Sequence, residues 1–207
     1  MQRPEWIARQ ARCPTGLVGK ILGRIMAVET TPENEQALQL LALHPDSHVL
    51  DVGCGHGRTL ARAAALVPEG FVVGVDVSAA MVRMASRHNR ELIKDGRVEI
   101  TCTDSTHLPY PEHRFDSVLS VHTLYFWSYP DAHLREIYRV MKDGARSVLG
   151  CLSAADTQIT AQFPASIYRF YTPEEALALL TAAGFQAVTA EQHQVSSGNI
   201  LFLSGQK

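Results

Sequence analysis

Val49-Leu50-Asp51-Val52-Gly53-Cys54-Gly55-His56-Gly57 runs from an apolar strand pattern straight into three glycines within five residues. Pro45 and Asp46 break the chain just before it, so His48 to Val52 reads as a short buried strand. Glycines remove side-chain bulk and permit positive φ, so the turn can bend sharply and bring backbone close to a ligand. In an open α/β sheet such a turn lies beyond the carboxyl end of the first strand, where ligands bind.

Outward from this turn, helix and strand patterns alternate. Thr31 reads as an N-cap followed by Pro32 and Glu33, and Ala37, Leu38, Leu40 and Leu41 carry the helix that precedes the strand. After the glycines, Thr59 to Val67 reads as a helix stopped by Pro68 and Gly70, and Phe71 to Val75 as a β-branched strand. Ser78 caps a helix carrying Met81, Val82 and Ala85, and Asp95-Gly96 turns the chain into a strand at Val98 to Cys102. Phe115 to Val121 is the fourth strand, Asp131 to Met141 a helix ended by Gly144, and Ala145 to Leu152 the fifth strand. Thr172-Pro173-Glu174-Glu175 has the form of a capping box opening a helix that Gly184 closes. Phe185 to Gln194 and Ile200 to Leu203 then flank the turn-forming run Ser196-Ser197-Gly198-Asn199 as a hairpin. The expected fold class is α/β: an open, doubly wound, mostly parallel sheet with helices on both faces, ending in an antiparallel pair.

The chain has 207 residues, enough for one well-packed core, and the expectation is a single domain over 1–207, with 1–44 as an N-terminal helical lid or cap and 45–207 as the sheet core. With 46% apolar and 19% charged residues it has a globular composition. A formal charge of −2 supplies no general field for nucleic acid, although Arg3, Arg9, Arg12, Lys20 and Arg24 make the N-terminal segment locally basic. That segment has no signal-peptide core, and no apolar run is long enough for a membrane span. Cys13, Cys54, Cys102 and Cys151 form no C-x-x-C pair, which fits a reduced, cytoplasmic setting. Nine histidines show no metal-site spacing, and no metal is expected.

Arg58 stands where a dinucleotide fingerprint would place its third glycine, which disfavours NAD. A tight structural turn remains an alternative reading of the glycines alone, and the neighbouring acids decide between them. Asp51 and Asp76 sit at the ends of the first two predicted parallel strands and Asp104 follows the third, which brings the acids to the same edge of the sheet. A carboxylate there can accept from two ribose hydroxyls, attract an ammonium or sulfonium, or accept from an exocyclic amine. Capping of the following turn is the alternative for each acid, but it explains three successive strand ends poorly.

These motifs together resemble the class I S-adenosylmethionine (SAM)-dependent methyltransferases, in particular the broad group called type 11. Val49 to Gly57 resembles the family's first motif and Gly74-Val75-Asp76-Val77-Ser78 with Met81 its second. Asp104 to Pro109, Phe115 to Ser120 and Leu134 to Lys142 resemble the later ones. The usual Lys-Pro-Gly-Gly before strand five reads Lys142-Asp143-Gly144-Ala145 here, far from the expected cofactor site. The resemblance implies a Rossmann-like, seven-stranded sheet with the last strand antiparallel, and SAM as cofactor with S-adenosylhomocysteine as product. It also implies site roles. Gly53, Cys54, Gly55 and Gly57 would pass under the methionine part and ribose, with Asp51 near the amino group. Asp76 would hold the ribose hydroxyls, Val77 and Met81 would face adenine, and Thr103, Asp104 and Ser105 its polar edge. Ser120 and Val121 would lie near the methyl-bearing sulfur.

A sulfonium methyl is already activated, so the protein has chiefly to align a nucleophile and exclude water. His122 is the candidate general base and Tyr125 a residue that orients the acceptor, with Phe126 and Trp127 as core or pocket wall. A packed, hydrogen-bonded histidine is the alternative for His122. Tyr168, Arg169, Phe170 and Tyr171 are either substrate contacts or residues leading into a helix. Leu17, Val18, Ile21, Leu22 and Ile25 form an apolar stripe in a helix that either closes over the site, with Met26 and Asn34 near the cofactor, or packs on the sheet edge. A small-molecule acceptor is the expected partner. A noncatalytic SAM-binding module, an NAD-dependent reductase and an RNA methyltransferase are the competing functions.

Overall fold

The computed structural model describes residues 2–195 and 198–207; Ser196 and Ser197 of the expected hairpin turn lie outside it, as do the side chains at 24, 26–29, 195 and 198. Seven strands form one sheet: β1 (His48–Val52), β2 (Phe71–Asp76), β3 (Val98–Cys102), β4 (Phe115–Val121), β5 (Met141–Cys151), β6 (Gln186–Val195) and β7 (Gly198–Gln206). Their spatial order is β3-β2-β1-β4-β5-β7-β6. The neighbours from β3 to β5 pair in parallel, while β7 lies antiparallel between β5 and β6. Strand order reverses between β1 and β4, which opens a crevice at their carboxyl ends.

The helices are α1 (Glu5–Arg12), α2 (Gly16–Glu29), α3 (Thr31–Leu41), α4 (Arg58–Leu66), α5 (Ala79–His88), α6 (Arg90–Lys94), α7 (Pro130–Val140), α8 (Thr157–Thr160) and α9 (Pro173–Ala182). The central strands alternate their side chains into two cores, one on each face. Leu50, Val73, Val118 and Leu149 meet Leu134, Ile137 and Leu180 of α7 and α9 on one side. Val49, Val72, Leu119 and Val148 meet Ala37, Leu41, Leu60 and Ala64 of α3 and α4 on the other.

Local chemistry explains most boundaries. Ser78 caps α5 by accepting from the Met81 N–H at 3.3 Å. Thr172 and Glu175 form a reciprocal capping box, each side chain accepting from the other residue's backbone N–H. Two expected boundaries differ. The N-cap of α3 is Thr30, not Thr31, so Pro32 is the second helical residue. The helix α7 ends at Val140, and the chain enters the sheet at once rather than turning at Gly144. Met141 pairs with Phe115, whereas the next partners are Arg146 and Ser117, so Gly144, with φ +78°, sits in a bulge of β5. The Lys142 ammonium holds that bulge against both carboxylate oxygens of Asp116 at 2.8 Å.

Because both bonds of the capping box are present, Thr172→Ala is expected to lower stability by about 1 kcal/mol, read from urea unfolding midpoints. An unchanged midpoint would show that α9 is held by its buried Ala176 and Leu180 alone.

Candidate active site

The glycine turn is stitched to the neighbouring strand. Gly53 and Cys54 donate their backbone N–H groups to the Val75 carbonyl at 2.8 and 3.0 Å, and Gly57 donates to Cys54 at 3.0 Å. Gly53 has φ +81°, and a Cβ there would collide with the Thr123 methyl group. Both its conformation and its surroundings therefore require glycine. Gly57, with φ +84°, serves as the N-cap of α4 and lies against Asn89 and Ala85.

Asp76 ties the turn down. Its Oδ2 accepts from Gly55 N–H at 2.9 Å and its Oδ1 from Ser78 N–H at 2.7 Å, which leaves each oxygen one further lone pair. Burial raises its carboxyl above the usual range, and the two N–H bonds offset part of that rise. Asp51 has no such relief. It is 3% exposed, and its Oδ2 has no hydrogen-bond partner. Desolvation, reinforced by the charge of Asp76, pushes its carboxyl up to about 8. A buried carboxyl that lacks a partner is a site waiting for a cation or a donor.

Both acids face a cavity of about 1130 Å³. That exceeds the usual size of a single small-ligand pocket, so it has room for two reactants side by side. Its wall includes Asp51, Gly53, Cys54, Gly55, Asp76, Val77, Met81, Thr103, Asp104, Ser105, Val121 and His122, so the sequence-derived residues are brought together. Three others lie behind the wall. Gly57 is the helix cap already described. Ser120 is 1% exposed and gives its hydroxyl to the Val52 carbonyl at 2.8 Å, with Thr123 as a second partner. Tyr125 is buried in an aromatic cluster with Phe126, Tyr168 and Phe170, and burial drives its phenol far above the normal range. It does not reach the cavity, because the loop after β4 turns its ring toward the core while Phe126 and Trp127 form the wall. Tyr168, Phe170 and Tyr171 likewise pack against the core.

The third strand-end acid, Asp104, behaves differently from the first two. Burial pushes Asp104 up, but the N–H and hydroxyl of Thr106, bonded at 2.8 and 2.9 Å, outweigh it and hold the carboxyl below its usual range. Ser105 spends its hydroxyl on His133 Nδ1 at 2.7 Å, and that ring stacks on Trp127 with centroids 4.6 Å apart. Sequence reading had no signal for this triple contact.

His122 has φ +61°, a strained conformation for a side chain of its size. Its N–H is held by the Gly150 carbonyl at 2.7 Å. The ring Nε2 lies 3.8 Å from Glu33 Oε1, and Nδ1 is buried with no hydrogen-bond partner. Glu33 itself is 1% exposed. It heads an i, i+4 series with Ala37 and Leu41, both buried, so an acid at the first position of an apolar stripe was the available clue.

The N-terminal helices cover one side of the cavity. Arg12, Cys13, Pro14, Gly23, Thr30 and Asn34 line it, whereas the Met26 side chain lies outside the described residues. Ser78 donates to the Pro14 carbonyl at 2.5 Å, and Arg12 reaches Ser128 at 3.1 Å, so the α1–α2 junction bridges the cavity's two rims. Among the described residues no cluster of His, Cys, Asp or Glu has the form of a metal site.

Residues 50–149 match the family described as methyltransferase domain. The chain is 35% identical over 112 residues to a demethylmenaquinone methyltransferase of Symbiobacterium thermophilum, an alignment covering 54% of this chain and 44% of that protein. It is 31% identical over 119 residues to 24-methylenesterol C-methyltransferase 2 of Arabidopsis thaliana, covering 58% and 33% respectively. The chain thus spans less than half the length of these two curated relatives. Among solved structures, a SAM-dependent methyltransferase from Aquifex aeolicus superimposes with a TM-score of 0.71 at 21% identity, covering 99% of this chain and 98% of that one.

The raised carboxyl of Asp51 links stability to pH. Its folded pKa of about 8 exceeds the unfolded value of 3.8, so the folded state holds an extra proton between those limits and loses stability as pH rises through them. Asp51→Asn is expected to be more stable than the wild type at pH 8 by on the order of 5 kcal/mol, with the gap closing toward pH 4. Urea unfolding of the ligand-free proteins across that range checks it, and an equal gap at both ends would contradict it.

Proposed function

We propose that the chain is a class I SAM-dependent methyltransferase that transfers the methyl group of SAM to a small-molecule acceptor, a reading supported by the match of residues 50–149 to the methyltransferase domain family and by the named methyltransferases it resembles. The observation that carries this reading is the partnerless carboxyl of Asp51 beside Asp76 under the glycine turn. The residues fit the cofactor. Asp51 offers a desolvated carboxylate to an ammonium, Asp76 keeps lone pairs for ribose hydroxyls, and Val77 and Met81 supply an apolar wall for a base. When bound, SAM supplies an electrophilic methyl group on a sulfonium.

The chain's own work is then to position and to exclude water. Thr123, Phe126 and Trp127 from the loop after β4, with the α1–α2 junction across from them, enclose the space left for an acceptor. His122 is the proposed base for an acceptor that carries a dissociable proton. Glu33, with Oε1 3.8 Å from Nε2, lies beside the ring and positions it. Tyr125 has no part in this scheme.

A single domain with residues 1–44 as a lid accords with the bridging contacts of Arg12 and Pro14. The near-neutral charge favours a small molecule over nucleic acid. Four free cysteines accord with the cytoplasm, and among the described residues no helix is long and apolar enough to cross a membrane.

Calorimetry with SAM and S-adenosylhomocysteine tests the site. Asp76→Ala is expected to weaken both by at least about tenfold, whereas His122→Ala leaves them within about twofold while abolishing transfer of labelled methyl to the acceptor. Equal affinity in wild type and Asp76→Ala would sink the assignment. Tight binding with no transfer to any acceptor pool would favour a noncatalytic binding module.

A further inference from the structure

The helix α2 turns its apolar side outward. Leu17 is 73% exposed, Val18 49%, Ile21 52% and Ile25 50%. Their spacing puts them on one face over more than two turns. The opposite face is glycine. A Cβ on Gly19 would lie 2.7 Å from the Pro14 carbonyl carbon, and one on Gly23 would lie 2.8 Å from the Met81 methyl carbon. Rolling the helix to bury the stripe would drive larger side chains into space that only glycine fits. Its exposure is therefore fixed by the packing beneath it.

Large aliphatic side chains gathered on a surface mark a place of contact. The surrounding charge says with what. Arg3, Arg9, Arg12, Lys20 and Arg24 face a single acid, Glu5, in the sequence up to Ile25, while the whole chain carries −2. Lys20 follows Leu17 by one helical turn, so a cation borders the stripe itself. A second copy of the chain would bring the same cations together. Four half- to three-quarter-exposed side chains also make a small patch beside the roughly 800 Å² per partner that a stable protein interface buries.

We propose that this face of α2 docks on an anionic lipid bilayer, with the aliphatic stripe entering the interface and the basic segment held by the headgroups. Each signal alone gives marginal binding, and the two together give reversible attachment. The docked helix walls the cavity at Gly23, as does Pro14 just ahead of it, so attachment sets the cavity beside the lipid surface. The inference does not depend on the reaction performed there.

Flotation with phosphatidylcholine vesicles containing about one third phosphatidylglycerol tests it. The wild-type protein is expected to float with these vesicles, to stay behind with pure phosphatidylcholine, and to be released by high salt. Ile21→Glu should lower the bound fraction by at least about fivefold with an unchanged melting temperature. Leu17→Ser, at the most exposed position, repeats the test without introducing a charge, and Lys20→Glu tests the electrostatic arm. Absence of wild-type flotation, or flotation undiminished in Ile21→Glu and Leu17→Ser, overturns the proposal. So does a wild-type dimer that Ile21→Glu dissociates in light scattering, which would make the face a self-interface.

Discussion

Two carboxyl groups at the ends of adjacent parallel strands, in a largely buried corner, set the terms for the rest of the site. Asp51 and Asp76 reach the same edge because β1 and β2 run parallel and nearly in step, Asp51 opposite Gly74 and Val52 opposite Val75. Backbone N–H groups from Gly55 and Ser78 quiet one of them. The other keeps its proton because nothing nearby compensates a charge. Burying such a group costs stability, and it is tolerable only where a ligand or a strongly packed scaffold offsets it. Here the scaffold is the sheet's two-sided core, in which Leu50 and Val49 flanking that strand end are fully buried.

The glycine turn follows from the same constraint. Backbone must pass close to the two acids and to Thr123 across the crevice, and a side chain at Gly53 has no room. The order reversal between β1 and β4 then places the loop carrying His122 opposite that turn. The backbone strain at His122 and its covered Nδ1 nitrogen fall on this facing loop, and the buried acid Glu33 of α3 lies against it. Strain concentrates where the chain is bent toward the cavity and not elsewhere along β4.

Sequence alone reveals features whose cause is local or set by strand direction. Ser78 and Thr172 announce helix starts because their partners lie three residues away. The three acids announce themselves because parallel strands bring every carboxyl end to one edge. Glu33 and His122 meet only through the packing of α3 against the sheet, so no spacing rule links them. Tyr125 misleads for the converse reason: a strand-end aromatic faces core or cavity according to the turn of its loop, which periodicity does not encode. Gly144 likewise reads as a helix stop, although the sheet captures Met141 first and leaves the glycine to a bulge.

The central claim is that Asp51 is a proton-bearing acid that becomes a charged partner when a cationic ligand arrives. Titrating S-adenosylhomocysteine calorimetrically at pH 7 in two buffers of different ionisation heat counts the protons exchanged. A carboxyl starting at about 8 and ionising against the ligand's ammonium should release close to one proton, about 0.9, from the wild type and almost none from Asp51→Asn. Binding without proton release, or the same release from both proteins, would contradict the account.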